Sequence, residues 1–181
     1  GDGNDVTLTY VPAATNVTRT RDGGGGANNN WSTAANWVGD TVPQPGDTLL
    51  FNDTAPPERR TMTADIPNMV VDAMTFSGTA DYMLSGTSGL IVLREIRDTH
   101  NGADTLINVP LSLGASATFV VTGAGTRHLV LNGAINLRNH TLTARSETVG
   151  RRVEMSGSIS GNGSVIINGS GEVRLSGTTG N

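Results

Sequence analysis

A short segment of apolar and small residues recurs at a nearly constant spacing, and this repeat constrains the fold more than any other feature. The segments "INVPLSL" (107–113), "LNGAINL" (131–137) and "MSGSISG" (155–161) align position by position at a constant step of 24. "LSGTSGL" (84–90) lies a similar step before the first, and "LSGTTGN" (175–181) follows the last at a slightly shorter one. This period predicts a solenoid, because one coil cannot bury its own apolar side and must stack on its neighbours.

A second track of apolar residues lies between these segments and advances in steps of 23. It leads from Phe119 to Leu142 and from Leu142 to Val165. In a solenoid, equivalent side chains of successive coils stack as ladders, with the coils about 4.8 Å apart. The sequence therefore predicts two core ladders. They consist of Leu131, Met155 and Leu175, and of Phe119, Leu142 and Val165.

A small residue closes each apolar run, as Gly133, Gly157 and Gly177 do in the first track. Such residues mark sharp turns of the backbone, where a positive φ is easiest for glycine. We therefore expect these three glycines to form the corners between strands, with positive φ.

From residue 61 onwards the chain consists of apolar runs of strand length, and no usable window shows helical periodicity. The predicted class is all-β, with about three short strands per coil. A β-sandwich is the alternative, since it also uses short strands with frequent turns. The regular step favours the solenoid. The absence of cysteine leaves packing and backbone hydrogen bonds to stabilise the fold.

The N-terminal part of the chain, over positions 1–60, is not repetitive. Residues 5–11 alternate as a strand does, and the polar, Gly-rich stretch 13–30 predicts a mobile loop. The stretch 31–51 holds both tryptophans and several turn signals, which predicts an irregular cap closed by Trp31 and Trp37. The expected organisation is an N-terminal strand, loop and cap over 1–60, followed by parallel β-helix coils over 61–181.

The net charge argues against a nucleic-acid partner, and the length of the apolar runs argues against insertion in a membrane. The net charge is −4, and all 12 basic residues are arginines. A nucleic-acid-binding protein is expected to carry a basic surplus on one face, so no nucleic-acid partner is expected. No apolar run approaches the roughly 20 residues that a membrane span requires, so no membrane insertion of this segment is expected.

The densest polar cluster outside the cap is the loop "RDTHNGAD" (97–104). Its Asp98, His100, Asn101 and Asp104 could together hold a cation. The same residue types are standard turn formers, and that interpretation is preferred. The stretch "GDGND" (1–5) is similar to half of a calcium-binding nonapeptide, but it occurs only once. No metal site and no cofactor are therefore assigned.

Acidic residues spaced close to one coil apart raise the alternative of carbohydrate chemistry. Glycoside hydrolysis requires two carboxyl groups roughly 5–10 Å apart. Asp72, Glu95 and Asp98 could lie on adjacent coils, with Arg94 and Arg97 nearby. The alternating charges more simply predict a solvated face with pairing between coils. No catalytic residue is assigned.

Two arginine pairs, Arg59-Arg60 and Arg151-Arg152, could bind acidic sugars. Isolated pairs in loops more commonly balance nearby Asp and Glu. Host or matrix glycans are therefore kept only as further partners.

The stretch "ISGNGSVIINGSGEVRLSGTTGN" (159–181) resembles the autotransporter-associated β-strand repeat of bacterial passenger domains. "WSTAANWVGDTVPQPGDTLLF" (31–51) is similar to the block that often opens such a repeat region, and "GDGNDVTLTYV" (1–11) to the stretch that often ends one. The resemblance implies a right-handed, single-stranded parallel β-helix, exported and displayed at the surface of a bacterium. It implies no catalytic residues.

The order of these segments is unusual, because the ending type comes first and the chain stops just after a Gly-Asn that normally leads on. This order predicts either part of a larger repetitive protein or a subunit whose first strand completes a neighbour. An open strand edge recruits further strands. We therefore expect other protein modules or subunits as partners through end-to-end stacking. The expected assembly residues are Val6, Leu8, Tyr10, Val173 and Leu175.

The leading expectation is a non-enzymatic structural or adhesive β-helix module, located extracellularly or at the bacterial cell surface. One alternative is a self-assembling extracellular filament subunit joined end to end through strand edges. The other alternative is a carbohydrate-active β-helix domain.

Overall fold

The computed structural model describes residues 17–79 and 81–177. The described residues are nearly all β, with two single-turn 3₁₀ helices at Ala34–Asn36 and Pro57–Arg59. In chain order the strands are β1 (Thr18–Thr20), β2 (Asp47–Phe51), β3 (Thr61–Thr63), β4 (Met69–Phe76), β5 (Met83–Ser85), β6 (Leu90–Asp98), β7 (Thr105–Ile107), β8 (Leu111–Leu113), β9 (Ala117–Val121), β10 (His128–Leu131), β11 (Ile135–Asn136), β12 (Thr141–Ser146), β13 (Arg152–Met155), β14 (Ile159–Ser160), β15 (Ser164–Gly169) and β16 (Glu172–Leu175).

The strands stack as a parallel β-solenoid. One sheet has six strands in the order β16-β13-β10-β7-β5-β3, so each turn of the chain adds one strand beside the previous turn. The other sheet has ten strands, and every pairing between named strands in both sheets is parallel. The predicted all-β solenoid is confirmed, and the antiparallel sandwich is excluded.

The register of the six-stranded sheet follows the spacing read from the sequence. Leu84 pairs with Ile107, and Ile107 pairs with Leu131. Leu131 then pairs with Met155, and Met155 with Leu175. The first four side chains of this ladder are fully buried. Each step of the first track, including the shorter last one, therefore corresponds to one turn of the solenoid.

The second predicted ladder is wrong in one member. Leu142 pairs with Val165 as expected, but on its other side it pairs with Ala117. Phe119 pairs instead with Ala144. The coil from β9 to β12 is longer than the predicted step, and the ladder shifts by two positions. A shift of two keeps every side chain on the same face of its strand, which is why the apolar pattern does not reveal it.

Three strands per coil occur only in the later turns. The long strand β6 pairs through Leu90–Val92 with β8 and through Glu95–Asp98 with β9. The earlier strands β4 and β6 pair along most of their length, with a shift in register between Val71 and Ala73. In the earlier turns one long strand, such as β6, runs along two sides of the coil. The third strand of each coil therefore begins where β8 and β9 replace it.

The corner glycines are required for a reason other than the predicted one. Gly133, Gly157 and Gly177 are absent from the described glycines with positive φ. A Cβ on Gly157 would instead lie 2.0 Å from the carbonyl oxygen of Gly133, and one on Gly133 would lie 1.9 Å from that of Val109. Successive corners therefore stack backbone on backbone, and only a residue without a side chain fits.

Aromatic side chains close the N-terminal side of the described core. Trp31 and Trp37 are fully buried, with ring centroids 5.9 Å apart. Trp31 stacks on Phe51, whose ring lies 4.8 Å from that of Phe76. Tyr82 lies 5.9 Å from Phe51 and completes a group that we call the aromatic cluster.

The solenoid begins earlier in the chain than the sequence indicates. Residues 18–20, which the sequence places in a mobile loop, form β1, and Thr18 pairs with Thr48 of β2. Strand β2 pairs in turn with β4, so the ten-stranded sheet continues across the expected boundary at residue 60. The predicted strand over 5–11 lies outside the described residues.

Candidate functional site

The polar loop 97–104 places two of its four candidate ligands inside the protein. Asp98 is the last residue of β6, and alternation along that strand points its side chain inwards. Asp98 and His100 are both fully buried, with His100 Nδ1 2.5 Å from Asp98 Oδ1. The other ring nitrogen, Nε2, faces the carbonyl oxygen of Ala103.

Arg151 reaches this pair from two coils further along the chain. Its Nη2 lies 3.2 Å from Asp98 Oδ1, and its Nη1 donates to the carbonyl oxygens of His100 and Thr122 at 2.9 and 2.6 Å. Its Nε donates to the carbonyl oxygen of Arg127 at 3.1 Å. Asp98, His100 and Arg151 form what we call the corner cluster, and its hydrogen bonds join the corners of three successive coils.

The surroundings of His100 favour its protonated form. Burial lowers its pKa, but the hydrogen bond and charge of Asp98, together with the Ala103 carbonyl, raise it above 6.5, while Arg151 opposes that rise. Both ring nitrogens face acceptors, and a neutral imidazole carries only one N–H donor. Either neutral tautomer therefore leaves a nitrogen lone pair facing an oxygen. The corner cluster is a buried ionic network.

The four candidate ligands of loop 97–104 do not converge. Asn101 is exposed, and Asp104 accepts a hydrogen bond from the backbone N–H of His128 at 2.9 Å. Across residues 17–79 and 81–177, no group of three or more His, Asp or Glu side chains is arranged to hold a metal ion. The stretch "GDGND" (1–5) lies outside the described residues.

The acidic residues of the sheet face are each paired with an arginine. Arg94 Nη2 lies 2.7 Å from Asp72 Oδ2, and this hydrogen bond is the main reason why the pKa of Asp72 is lowered. Arg97 Nη2 lies 2.7 Å from Glu95 Oε1. Asp98, the third candidate, is buried in the corner cluster. The structure therefore separates these carboxyl groups into ion pairs and does not bring them together as a free pair.

The two arginine pairs also divide between surface and interior. Arg60 is buried and donates through Nε to the carbonyl oxygen of Ala55 at 2.7 Å. Arg151 belongs to the corner cluster, whereas Arg152 lies 2.8 Å from Glu154 and 3.8 Å from Glu172. Neither pair presents two adjacent guanidinium groups to a ligand.

The last described coil, residues 159–177, leaves apolar side chains uncovered, and we call it the open coil. Ile167 is 52% exposed and Leu175 is 43% exposed. Val165 and Val173, which occupy ladder positions beside Leu142 and Val153, are half-buried. The predicted assembly residues Val173 and Leu175 therefore lie together on the edge strand β16, while Val6, Leu8 and Tyr10 lie outside the described residues.

Sequence reasoning missed the corner cluster as a unit, although it named each member separately. The available signal was position: Asp98 comes two residues after the buried Ile96 in β6, and Arg151 comes two residues before the buried Val153 in β13, so alternation points both side chains inwards. No sequence pattern reports that these two positions, far apart in the chain, meet at one corner. Their contact follows from the lengths of the intervening coils.

No helix in the described part of the chain is both long and apolar enough to cross a membrane. Comparisons with known proteins give no match, whether with protein-family models, with curated proteins or with solved structures. The class that the fold defines is therefore the parallel β-solenoid.

Proposed function

We propose that this chain is a non-enzymatic structural or adhesive β-helix module of a bacterial surface protein, of the type found in autotransporter passenger domains. The observation that carries the proposal is the continuous ladder from Leu84 to Met155, in which each turn lies directly on the one before. Each inner coil is hydrogen-bonded to the coils on both sides. Such an array is suited to act as a stiff spacer.

The outward faces suit a spacer as well. Ion pairs within and between coils cover them, as Asp72 with Arg94 and Glu154 with Arg152 do. Of these four side chains only that of Arg94 is well exposed, and ion pairs near the surface contribute little to stability compared with the buried core. The resemblance of residues 159–181 to the autotransporter-associated repeat adds support, because β15 and β16 occupy its two apolar segments.

Surface labelling tests the proposed location. Antibodies raised against the purified chain should bind intact source cells, and external protease should remove the signal. Labelling that appears only after the cells are permeabilised would contradict display at the surface. A periplasmic protein serves as the control for intact membranes.

A reducing-end assay tests the non-enzymatic part of the proposal. Neutral and acidic polysaccharides incubated with the chain should release no reducing ends above those of heat-denatured protein. Release that disappears in D72N or E95Q would replace the spacer with the carbohydrate-active alternative.

A second candidate, self-assembly, is favoured by the open coil. We propose that a second copy of the chain covers this end, because the exposed side chains are those that an identical coil covers elsewhere. Ala144 is fully buried beneath β15, whereas Ile167, its partner in β15, is 52% exposed. The tryptophans already close the N-terminal side of the described core. The open coil is therefore the end that would be used.

Sedimentation velocity over a hundredfold range of concentration tests the self-assembly. A dimer or a growing series of oligomers is expected, and I167E or L175E should shift the distribution to monomer. V149E is the matched control, because Val149 is 78% exposed but lies in the turn before β13. A monomer at every concentration, or equal effects of all three variants, would refute the assembly without affecting the spacer role.

A further inference from the structure

The cap covers the first strand of each sheet on the N-terminal side of the solenoid. Strand β1 begins the ten-stranded sheet, and the carbonyl oxygen of its Thr20 accepts a hydrogen bond from the backbone N–H of Val38 at 2.9 Å. Strand β3 begins the six-stranded sheet. The backbone of its Thr63 donates to Asn29 at 3.1 Å and accepts from Trp31 at 3.0 Å. The cap therefore blocks both edges against a strand from another molecule.

The last strand of the six-stranded sheet is open by comparison. Among the described strands, β16 pairs only with β13. Val173 and Leu175 of β16 continue the inner ladders, on Val153 and Met155. Glu172 and Arg174 face outwards, with 60% and 54% of their side chains exposed, and each lies 3.8–3.9 Å from an opposite charge of β13. The outer edge of β16 therefore offers its N–H and C=O groups to a further strand.

We propose that two copies of the chain pair through β16 about a twofold axis, with the two strands antiparallel, and so form a closed dimer. The cap blocks the N-terminal edges, so the matching edge on a second copy is the same open coil. A contact in which both partners use the same surface is isologous, and it closes at two subunits instead of growing into a filament. The inference rests on the proposed self-assembly and gives it an orientation.

The charges of β16 select one register for this pairing. The axis has to pass through a residue, because only then do inward side chains lie opposite inward side chains. With the axis through Val173, Glu172 of each copy lies opposite Arg174 of the other. An axis through Glu172 or Arg174 would place like charges opposite each other, and one through Leu175 would pair only the end of the strand. The strand is therefore complementary to itself about Val173.

A single cysteine tests the twofold axis. The chain contains no cysteine, so Val173→Cys introduces one thiol per copy, and the axis places the two thiols opposite each other. Cβ atoms directly opposite in an antiparallel pair lie about 4.5–5.5 Å apart, close to the separation that a disulfide needs. Oxidation with diamide should link most of the protein into a covalent dimer on a non-reducing gel. Val149→Cys is the control and should link far more slowly, because Val149 is 78% exposed but lies outside the open coil.

Charge reversal tests the register. E172R and R174E each place like charges opposite one another in the dimer. Each should raise the dimer dissociation constant about tenfold or more in sedimentation velocity. An equimolar mixture of the two variants should dimerise again, because the arginines of one copy then face the glutamates of the other. Mixing would not repair an open coil that had simply unfolded. R127E reverses a charge at an exposed position before β10 and should dimerise as the wild type does.

The outcomes separate the orientation from the self-assembly on which it rests. Oligomers of the wild type that grow beyond the dimer would overturn the closed dimer and leave the self-assembly intact. The same holds if Val173→Cys links no faster than Val149→Cys in a wild type that does associate. A mixture of E172R and R174E that stays monomeric would overturn the register. A wild type that is monomeric at every concentration would overturn both proposals.

Discussion

The open coil and the coil directly beneath it contrast sharply in burial, although both belong to the same ladders. Met155 and Leu175 are successive members of one ladder, yet Met155 is fully buried and Leu175 is 43% exposed. Ala144 and Ile167 show the same contrast in the other sheet. All four side chains are apolar and occupy ladder positions, so their burial depends on whether another coil covers them. A coil therefore gains most of its stability from its neighbours.

The N-terminal side meets the same requirement with different residues. There the aromatic cluster covers the first coils, and Trp31 and Trp37 are fully buried. Bulky rings close the core with few residues, because each buries far more area than an aliphatic side chain. The comparison of the capped side with the open coil shows that the apolar side chains at the end of a solenoid are buried only where a cap or another coil covers them.

Loss of the cap should have the largest effect. W31A removes a fully buried ring and should lower the free energy of unfolding by about 3–5 kcal/mol. Urea unfolding followed by circular dichroism measures the change. V38A is the control, because Val38 is 52% exposed beside the cap and its truncation should cost less than about 0.5 kcal/mol. Similar costs for both variants would show that the tryptophans do not close the core.

Truncation along one ladder tests the contrast directly. M155A should cost about 2–5 kcal/mol, because it opens a cavity between two coils. L175A should cost well under half as much, since its side chain already contacts solvent. The comparison requires dilute protein, so that assembly does not cover Leu175. Equal costs for the two variants would contradict the dependence of burial on the next coil.

A corner substitution tests whether coils stack backbone on backbone. G157A places a Cβ 2.0 Å from the carbonyl oxygen of Gly133 and should destabilise the protein by about 1–3 kcal/mol. G89A is the matched control, because its nearest neighbour, a carbonyl oxygen of Pro110, lies at an ordinary 3.6 Å. Thermal melting of the two variants measures the difference. A G157A variant as stable as G89A would show that the corners are further apart than described.

The smallest expected effect is the pH dependence of the free energy of unfolding that comes from the corner cluster. This cluster is buried between coils that have neighbours on both sides. The pKa of His100 is raised above 6.5 in the folded state. The contribution of His100 to the free energy of unfolding is therefore complete below pH 6.5, and it is lost as the pH rises through the folded-state pKa. The free energy of unfolding should fall over that interval in the wild type.

The variant H100Q should lack this fall, because it removes the imidazole whose pKa is raised in the folded state. Urea unfolding at a series of pH values gives the comparison. Identical pH profiles for the two proteins would show that His100 is not held in its protonated form by Asp98 and Ala103.

Much of the fold could be predicted from the sequence because solenoid repetition is visible as spacing. The ladder through Ile107, Leu131 and Met155 follows from that spacing. The error at Phe119 arose because a coil that is longer by two positions keeps the same alternation of inward and outward side chains. The sequence locates the corner glycines, but the prediction that they need a positive φ is wrong. They are required because successive coils approach closely, and this approach leaves no local signal in the sequence.

The buried ionic groups were the hardest part to predict. Arg21 and Arg151 look like surface residues in the sequence, because arginine is seldom buried. Their burial depends on which corners meet several coils apart. A local pattern cannot report this, whereas the accumulated lengths of the coils determine it.

Hydrogen exchange of the backbone amides, measured on dilute monomer, tests the central claim most directly. If each coil is stabilised by its neighbours, the amides of β14, β15 and β16 should exchange fastest, and protection should rise through β13 to β10. Protection in residues 159–177 equal to that in residues 128–155 would show that the open coil is stable by itself. That result would contradict the account of burial by stacking.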